Sequence, residues 1–310
     1  MTVPVGRFAP SPTGRMHLGN LYAALMSWLS VRRRGGRWIL RIEDLDPQRS
    51  RLEFARQIED DLRWLGLDWD EGGVDSRGPN GPYVQSLRSD LYREALSRLD
   101  DTGLTYPCYC TRAELHAPSA PHASDGRFIY PGTCRPPRLS GRRLPDRKPS
   151  TRIIVPDRDI TFTDLICGPQ SVNLAREIGD FILRRADGAW AYQLAVVTDD
   201  ALMGVTEVMR GDDLLTSAAQ QIYLYELLGY RPPEFAHIPL MLNEQGIRLS
   251  KRDTSLSMEA LRASHTPQSL LGLLAHRAGL IPTPTPTPIT LDNLLKAMHT
   301  GCSSDNPKPL

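Results

Sequence analysis

The hydrophobic positions of residues 5–65 follow two alternating patterns. VGRFAP and RWILRIED are short apolar runs of the kind that form strands, and prolines stop the first of them. Apolar residues recur at helical spacing from Leu18 to Leu29 and again from Phe54 to Leu65. The first predicted helix ends before Gly35 and Gly36. Strand, helix, strand, helix in this order predicts the start of a parallel α/β sheet.

The pattern changes in the second half of the chain. Between about residues 107 and 150, prolines, arginines and cysteines replace the helical periodicity, which predicts an inserted subdomain. TRIIVPD, ITFTDLI, DFILRR and AYQLAVVTDD are strand-like runs, and SAAQQIYLYELLGY predicts an amphipathic helix. One further helix is predicted near residues 267–280. An extended connector of alternating Thr and Pro over 283–288 and a short helix follow it.

Composition narrows the class of protein. With 310 residues and 40% hydrophobic residues, the chain is long enough for a large core. A net charge of +1 gives no broad basic field, so a nucleic acid could meet only a local patch. Arginines cluster at 32–34 and over 135–148, where a solvated surface is the simpler interpretation. Without a signal peptide or a membrane-length apolar run, we expect a cytoplasmic protein with no membrane contact.

The stretch RFAPSPTGRMHLGN predicts an anion site. A strand that ends in a Pro/Gly loop and leads into a helix directs the unpaired N–H groups of the first helical turn at a ligand. Gly14 and Gly19 allow close approach, and His17 and Asn20 share that turn. The stretch is neither G-x-x-x-x-G-K nor G-x-G-x-x-G, so it predicts phosphate binding of another kind.

Three of the five cysteines lie close together in sequence. Cys108, Cys110 and Cys134 are grouped in a chain without an export signal, which favours metal ligands over disulfides. A structural zinc site requires four ligands, and by residue type His116 and His122 are the candidates for the fourth.

Two segments resemble the glutamyl- and glutaminyl-tRNA synthetases, which are class I aminoacyl-tRNA synthetases. APSPTGR followed by HLGN resembles the family's H-I-G-H motif, and MLNEQGIRLSKRD (residues 241–253) resembles its K-M-S-K-S loop. DFILRRADGAWAYQLAVVTDD and GVTEVMRGDDLL are also similar, so the resemblance covers residues 5–255. Arg248 stands where the family often has Lys. Because both are cationic, we expect phosphate contact to survive, with Lys251 as the principal ligand.

The resemblance implies a Rossmann-like parallel sheet and the activation of glutamate by ATP. From charge alone, Glu43 could equally pair with an arginine of the fold. The resemblance instead places it in the glutamate pocket. The implied residues are His17, Asn20 and Lys251 for catalysis; His17, Gly19, Asn20 and Lys251 for ATP; and Arg7, Ala9, Ser11, Glu43, Tyr192 and Arg210 for glutamate.

The resemblance also implies the zinc ligands and the domains. The family uses a tyrosine four residues before the last cysteine, so Cys108, Cys110, Tyr130 and Cys134 would hold a structural Zn²⁺, while Mg²⁺ accompanies ATP. The implied domains are 1–106, the first half of the catalytic domain; 107–175, the inserted zinc-bearing subdomain; 176–255, the second half with the K-M-S-K-S-like loop; and 256–310, a short helical region without an anticodon-binding domain.

A catalytic core with the three-cysteine insertion and only a short region after the second motif resembles one branch of the family. Its members activate L-glutamate without tRNA and transfer it to the queuosine at the wobble position of tRNA(Asp). One alternative is a truncated enzyme that charges the 3′ end of tRNA(Glu). Another is an inactive relative that binds RNA or a protein, but this predicts erosion of residues such as His17 and Lys251, which are intact. We expect a monomer whose partners are L-glutamate, ATP and queuosine-bearing tRNA(Asp).

Overall fold

The computed structural model describes residues 3–111, 114, 129–136, 147–241, 256–281 and 283–300. Two 3₁₀ helices, Gln85–Arg88 and Asp212–Leu214, accompany the regular elements. In chain order these elements are β1 (Val5–Phe8), α1 (Leu18–Arg32), β2 (Arg37–Leu40), α2 (Leu52–Leu65), β3 (Glu71–Gly72), α3 (Ser89–Asp100), β4 (Thr105–Cys108), β5 (Ser150–Ile153), β6 (Asp159–Asp164), β7 (Gly168–Asn173), α4 (Leu174–Glu177), β8 (Phe181–Arg184), α5 (Tyr192–Leu202), β9 (Glu207–Gly211), α6 (Leu215–Leu228), β10 (Glu234–Ile238), α7 (Met258–Ser264), α8 (Pro267–Arg277) and α9 (Leu291–Thr300).

The main sheet is parallel, as the sequence predicts. Its strand order is β10-β9-β1-β2-β3, and every neighbouring pair runs in the same direction. Successive strand residues enter different hydrophobic clusters: Ile39 and Val208 belong to one, Leu40 and Met209 to the other. Since strand side chains alternate between faces, the sheet is covered by apolar residues on both sides, which explains its continuous apolar runs.

The strand order reverses beside β1. The chain passes from β1 through α1 to the adjacent β2, whereas the other neighbour of β1 is β9, far along the chain. In open parallel sheets such a switch point forms a crevice at the carboxyl ends of the strands, where ligands bind. Helix α1 packs closely on β1. A Cβ added at Gly6 would lie only 2.4 Å from Val31 Cγ2, so the close packing requires glycine at this position.

Antiparallel strands make up the middle of the chain. β4, β5 and β8 form a three-stranded sheet, and β6 and β7 form a hairpin. The strands that TRIIVPD, ITFTDLI and DFILRR predict are therefore confirmed. The domain boundaries at 106/107, 175/176 and 255/256 remain a proposal.

One predicted strand is wrong. AYQLAVVTDD forms helix α5, in which every residue from Leu194 to Asp200 is buried. A helix surrounded by protein has apolar residues on all sides, so its sequence lacks helical periodicity, and Val196 and Val197 favour a strand by propensity. The predicted helix in SAAQQIYLYELLGY is confirmed as α6, although it too is buried on most sides.

The C-terminal helices share the hydrophobic core of the main sheet. Leu261, Leu271 and Leu294 lie in the same hydrophobic cluster as α1 and β2. Helix α8 confirms the prediction near residues 267–280, whereas α7 was not predicted. The Thr/Pro connector has no regular secondary structure in its described residues. The connector packs directly on α8. A Cβ added at Gly272 of this helix would lie only 1.9 Å from the Thr287 carbonyl oxygen, so the contact requires glycine. No described helix has the length and apolarity needed to cross a membrane.

Candidate active site

The connection from β1 to α1 is held by the side chains of the HLGN motif. His17 is the N-cap of α1, and its Nδ1 accepts a hydrogen bond from the Gly19 N–H at 3.1 Å. Asn20 Oδ1 accepts from the His17 N–H at 3.1 Å, which completes a reciprocal capping box. A Cβ at Gly19 would lie 3.1 Å from His17 Cε1, so glycine fits this position best. The N-terminus of α1 thus lies at the crevice with its first turn held by these two side chains, and anion binding there remains a prediction.

The residues that directly follow the second motif pack against the first motif. Lys251 and Arg248 fall outside the described residues. The described chain resumes at Leu256, and Ser257 forms a bridge with His17. The Met258 N–H donates to the Met16 carbonyl at 2.9 Å. The segment that contains the second motif therefore ends against the first.

A buried aspartate connects the same two regions. Asp61 of α2 is fully buried and accepts from Arg15 Nη2 at 3.1 Å, just before His17. It also accepts from Arg262 Nη1 at 2.9 Å, on the helix that follows the second motif. Sequence reasoning missed this residue, since Asp61 is one of several acids on an amphipathic helix.

A chain of buried ion pairs lies at the carboxyl ends of β1 and β2. Arg7 Nε lies 3.5 Å from Asp200 Oδ1, and both side chains are at most 5% exposed. The fully buried Arg41 donates from Nη1 to Asp200 at 2.6 Å and from Nη2 to Glu43 Oε1 at 3.2 Å. Burial raises the pKa of Glu43, although the charges of Arg41 and Arg7 oppose the shift. Glu43 is thus held in place as an acceptor at the crevice.

Arg41 is itself fixed by acids that the sequence did not single out. Asp200 and Asp199 follow one another on α5, and Asp199 Oδ2 lies 3.8 Å from Arg41 Nε. Asp199 also accepts from Arg88 Nε at 2.6 Å and from Tyr92 OH at 2.8 Å. The sequence predicts a strand where α5 lies, so it does not indicate that Asp199 and Asp200 face Arg41.

Arg210 has a different environment. It is 5% exposed, lies on β9, and its Nη1 is 3.4 Å from Tyr192 OH. Nη1 also donates to Gln221 Oε1 at 2.9 Å, and Nε donates to His237 Nε2 at 3.0 Å. Among the described residues no carboxylate lies within ion-pair distance of it. Burial lowers the pKa of Arg210, and the Arg7 charge adds to this shift, while Tyr192 and the charge of Asp200 oppose it.

The structure therefore brings most predicted glutamate-site residues to one edge of the sheet. Arg7 and Glu43 are joined through Asp200 and Arg41, and Tyr192 contacts Arg210. Ala9 is half-buried and Ser11 exposed; both lie on the connection from β1 to α1. The assignment of these residues to glutamate and ATP remains a prediction.

The structure describes the first arginine cluster and part of the second. Arg32 pairs with the surface acids Asp68 and Asp70, and Arg34 pairs with the buried Glu207. Two of the three arginines in the 32–34 cluster thus pair with acids of the fold, one of them buried, so the cluster is more than a solvated surface. In the second cluster, Arg135 is 3.7 Å from Asp180, and residues 137–146 lie outside the described chain.

The grouped cysteines converge in space. Their sulfur atoms lie within 4.8 Å of one another, and Cys110 Sγ is 3.6 Å from Cys134 Sγ. Tyr130 OH is 3.3 Å from Cys108 Sγ and 3.9 Å from Cys110 Sγ. A tetrahedral zinc ion with Zn–S bonds of about 2.3 Å separates its sulfur ligands by roughly 3.8 Å. Three thiols and one phenol therefore fit the ion. His116 and His122 lie outside the described residues.

The pKa values of two of the cysteines also favour a bound cation. Burial opposes ionisation of Cys108, but hydrogen bonds from Tyr130 and the Cys110 backbone, with the charge of Arg152, lower its pKa. Burial and the neighbouring Cys108 charge raise the pKa of Cys110 to about 12. The Cys108 thiolate is thus favoured by its surroundings, whereas ionisation of Cys110 would require a nearby cation such as Zn²⁺. Bound Zn²⁺ would cross-link β4 to residues 130–134.

We predict that Cys134→Ser loses bound metal. The wild type should hold about one zinc per chain, and the variant well under half of that, because one of four ligands is gone. The melting temperature should fall along with the metal content. Atomic absorption after dialysis and thermal unfolding by circular dichroism measure both. Cys167→Ser is the matched control, since Cys167 is exposed and outside the cluster. Unchanged zinc in Cys134→Ser would contradict the ligand set.

A parallel sheet with a capped helix N-terminus at its switch point and buried cations beside it is typical of nucleotide-binding α/β enzymes. The chain belongs to the family of class I tRNA synthetases (E and Q), catalytic domain, whose model matches residues 3–308. This class uses ATP and Mg²⁺.

Curated relatives share about half of their residues with this chain. The glutamyl-Q tRNA(Asp) synthetase of Symbiobacterium thermophilum is 54% identical over 288 residues, which cover 91% of this chain and 88% of the relative. The enzyme of the same name from Nitratidesulfovibrio vulgaris is 50% identical over 282 residues, covering 89% and 87%. That of Deinococcus radiodurans is 47% identical over 283 residues, covering 89% of each.

Solved structures of a related enzyme share the fold. The glutamate tRNA ligase of Elizabethkingia meningosepticum, in complex with its amino acid, matches with a TM-score of 0.80 and 30% identity over 95% of this chain. The glutamate-tRNA synthetase of Elizabethkingia anophelis matches with a TM-score of 0.82 at the same identity and coverage. The chain spans 64% and 65% of the length of these two proteins.

Proposed function

We propose that this chain is a ligase that activates L-glutamate with ATP in the absence of tRNA. It then transfers the glutamyl group to the queuosine at the wobble position of tRNA(Asp). The observation that carries the glutamate assignment is Arg210, a buried cation without a carboxylate partner among the described residues. The name shared by relatives at 47–54% identity supports the transfer to queuosine.

In the first step, an oxygen of the glutamate α-carboxylate attacks the α-phosphorus of ATP. A bond forms between them, the α–β bridge bond breaks, and pyrophosphate leaves. The side-chain carboxylate fits the buried cations Arg7 and Arg210, because the α-carboxylate must reach the nucleotide. Glu43, held by Arg41, accepts from the α-ammonium group.

The nucleotide occupies the crevice at the start of α1. His17, Gly19 and Asn20 line that turn, and the positive end of the helix dipole favours the phosphates there. Lys251 neutralises the charge that develops on the departing pyrophosphate. Mg²⁺, when bound with ATP, screens the phosphate charges.

In the second step, a hydroxyl oxygen of the queuosine cyclopentenediol attacks the glutamyl carbonyl carbon. An ester forms, AMP leaves with the phosphate-bound oxygen, and the hydroxyl proton is released. Arg135 and Arg147, at the borders of the second arginine cluster, are exposed enough to meet phosphates of the anticodon arm.

Transfer of radiolabelled glutamate to tRNA tests the proposed function. We expect label on tRNA(Asp) from queuosine-containing cells and none on tRNA from cells without queuosine. Removal of the 3′-terminal adenosine should leave the labelling unchanged, because the acceptor hydroxyl is in the anticodon loop. Label on tRNA(Glu) that is lost with the terminal adenosine would instead identify an enzyme that charges the 3′ end.

A further inference from the structure

The hydrogen-bond partners of Arg210 are all electrically neutral. Nε donates to His237 Nε2 at 3.0 Å and Nη2 to the Leu214 carbonyl at 3.2 Å. Nη1 donates to Gln221 Oε1 at 2.9 Å and to Tyr192 OH at 3.4 Å. The other two arginines at this edge, Arg7 and Arg41, both pair with Asp200. Arg210 is therefore oriented by its neighbours without being neutralised by them.

His237 can serve as an acceptor only while its Nε2 carries no proton. Its Nδ1 lies 2.6 Å from Asp164 Oδ2, and both side chains are fully buried. The Nδ1–H therefore donates to Asp164, which leaves Nε2 to accept from Arg210. Burial lowers the pKa of His237, as does the Arg210 charge, while Asp164 opposes the shift.

Asp164 is held independently of the histidine. Its Oδ1 accepts from the backbone N–H groups of Ile166, Cys167 and His237 at 2.8–3.1 Å. Burial opposes its ionisation, but the hydrogen bonds from His237 and these backbone groups lower its pKa to about 2. The carboxylate therefore stays charged near neutral pH and fixes the tautomer of His237.

Gln221 is oriented in a similar way. Its Nε2 donates to Gln193 Oε1 at 2.8 Å, so its oxygen is the atom that faces Arg210. Either amide or carboxylate would fit this position sterically. An amide leaves the guanidinium charge uncompensated, whereas a carboxylate would neutralise it.

We infer that the neutral acceptors of Arg210 select a carboxylate over an amide in the amino-acid substrate. Gln221 leaves the charge of Arg210 available, and His237, fixed by Asp164, is a positioning residue that orients it. The inference rests on the proposed function, because glutamate is the anion that completes the site. Glutamine would leave a buried cation unpaired, which is costly in a site of low polarity.

Gln221→Glu tests the selection. The new carboxylate satisfies Arg210 and repels the substrate, so the KM for glutamate in ATP–pyrophosphate exchange should rise about tenfold to a hundredfold, with a smaller change in kcat. The preference for glutamate over glutamine should fall by a similar factor. Gln220→Glu is the matched control, because it adds the same charge on α6 at a residue without a hydrogen bond to Arg210 and keeps the oxygen that accepts from Gln193.

A second pair of variants tests the positioning role. His237→Phe keeps a ring beside Phe235, on which His237 stacks, but removes the acceptor. Its KM for glutamate should rise about tenfold, with little change in the KM for ATP. In His237→Gln, Oε1 replaces Nε2 as an acceptor, and most of the wild-type KM should return.

The outcomes separate this inference from the proposed function. Glutamate-dependent exchange by the wild type, with an unchanged glutamate KM in Gln221→Glu, would overturn the inference alone. A rise in Gln220→Glu as large as in Gln221→Glu would also overturn it, because general charge would then explain the effect. A wild type without glutamate-dependent exchange would overturn the proposed function itself. Thermal unfolding confirms that each variant folds.

Discussion

Arg210→Met is expected to raise the KM for glutamate about a hundredfold or more in ATP–pyrophosphate exchange. Removing one partner of a buried, hydrogen-bonded charge pair costs about 2–5 kcal/mol of binding free energy. Methionine fills much of the volume but leaves the substrate carboxylate in a buried site without its cation. The KM for ATP should change little, because the proposed nucleotide residues lie on α1 and the second motif.

Arg210→Met should also lower the stability of the folded protein modestly. His237 Nε2 and Gln221 Oε1 lose their donor, and each unpaired buried acceptor costs about 1–3 kcal/mol. Removal of an uncompensated buried charge offsets part of this cost. Thermal unfolding should therefore show a modest decrease in the melting temperature and a folded enzyme at assay temperature.

Arg210→Lys is the matched control for this prediction. Lysine keeps the positive charge but cannot donate to His237 and Gln221 from one planar group. We expect a glutamate KM between those of the wild type and the methionine variant. A methionine variant that saturates at the wild-type glutamate concentration would show that Arg210 does not bind substrate.

Lys251→Ala is expected to lower the rate of ATP–pyrophosphate exchange by about a hundredfold to a thousandfold. Loss of one preorganised group that stabilises developing charge typically reduces kcat by that factor. The affected quantity should be kcat, because charge on the leaving pyrophosphate develops in the transition state. The melting temperature should stay near that of the wild type, because the role proposed for Lys251 is in the reaction and not in the core of the fold.

Arg248→Ala supplies the comparison within the same segment. Arg248 occupies the position where the related motif often has Lys, and we expect its loss to reduce the exchange rate less than the loss of Lys251. Circular dichroism should show both variants folded. Exchange by Lys251→Ala at the wild-type rate would refute its role, and a larger effect at Arg248 would reassign the principal phosphate ligand.

Local features of the chain were predictable because a few neighbouring residues determine them. Pro10 and Pro12 end β1, and the His17 side chain caps the helix that begins one residue later. The spacing of Cys108, Cys110 and Cys134 likewise indicated a metal cluster, and their sulfur atoms do converge. In each case the groups that make the contact lie close together along the chain.

Contacts between distant segments were not predictable in this way. Arg41 and Asp200 are 159 residues apart, and Asp164 and His237 are 73 apart. Each looks like an ordinary polar residue in its own segment. AYQLAVVTDD also concealed its helix, and with it the two aspartates that hold Arg41, because burial on all sides removes the periodic signal.

The sequence alone determined the parallel α/β class, the loop and capped helix start after β1, the cysteine cluster and the family resemblance. Each depends on local propensity or on the spacing of residues along the chain. Only the tertiary structure decided which cations at the carboxyl edge are neutralised. Arg7 and Arg41 pair with Asp200, whereas Arg210 contacts neutral acceptors from several elements. The reason is physical: the availability of a buried charge depends on every group packed around it, and packing exists only in the folded chain.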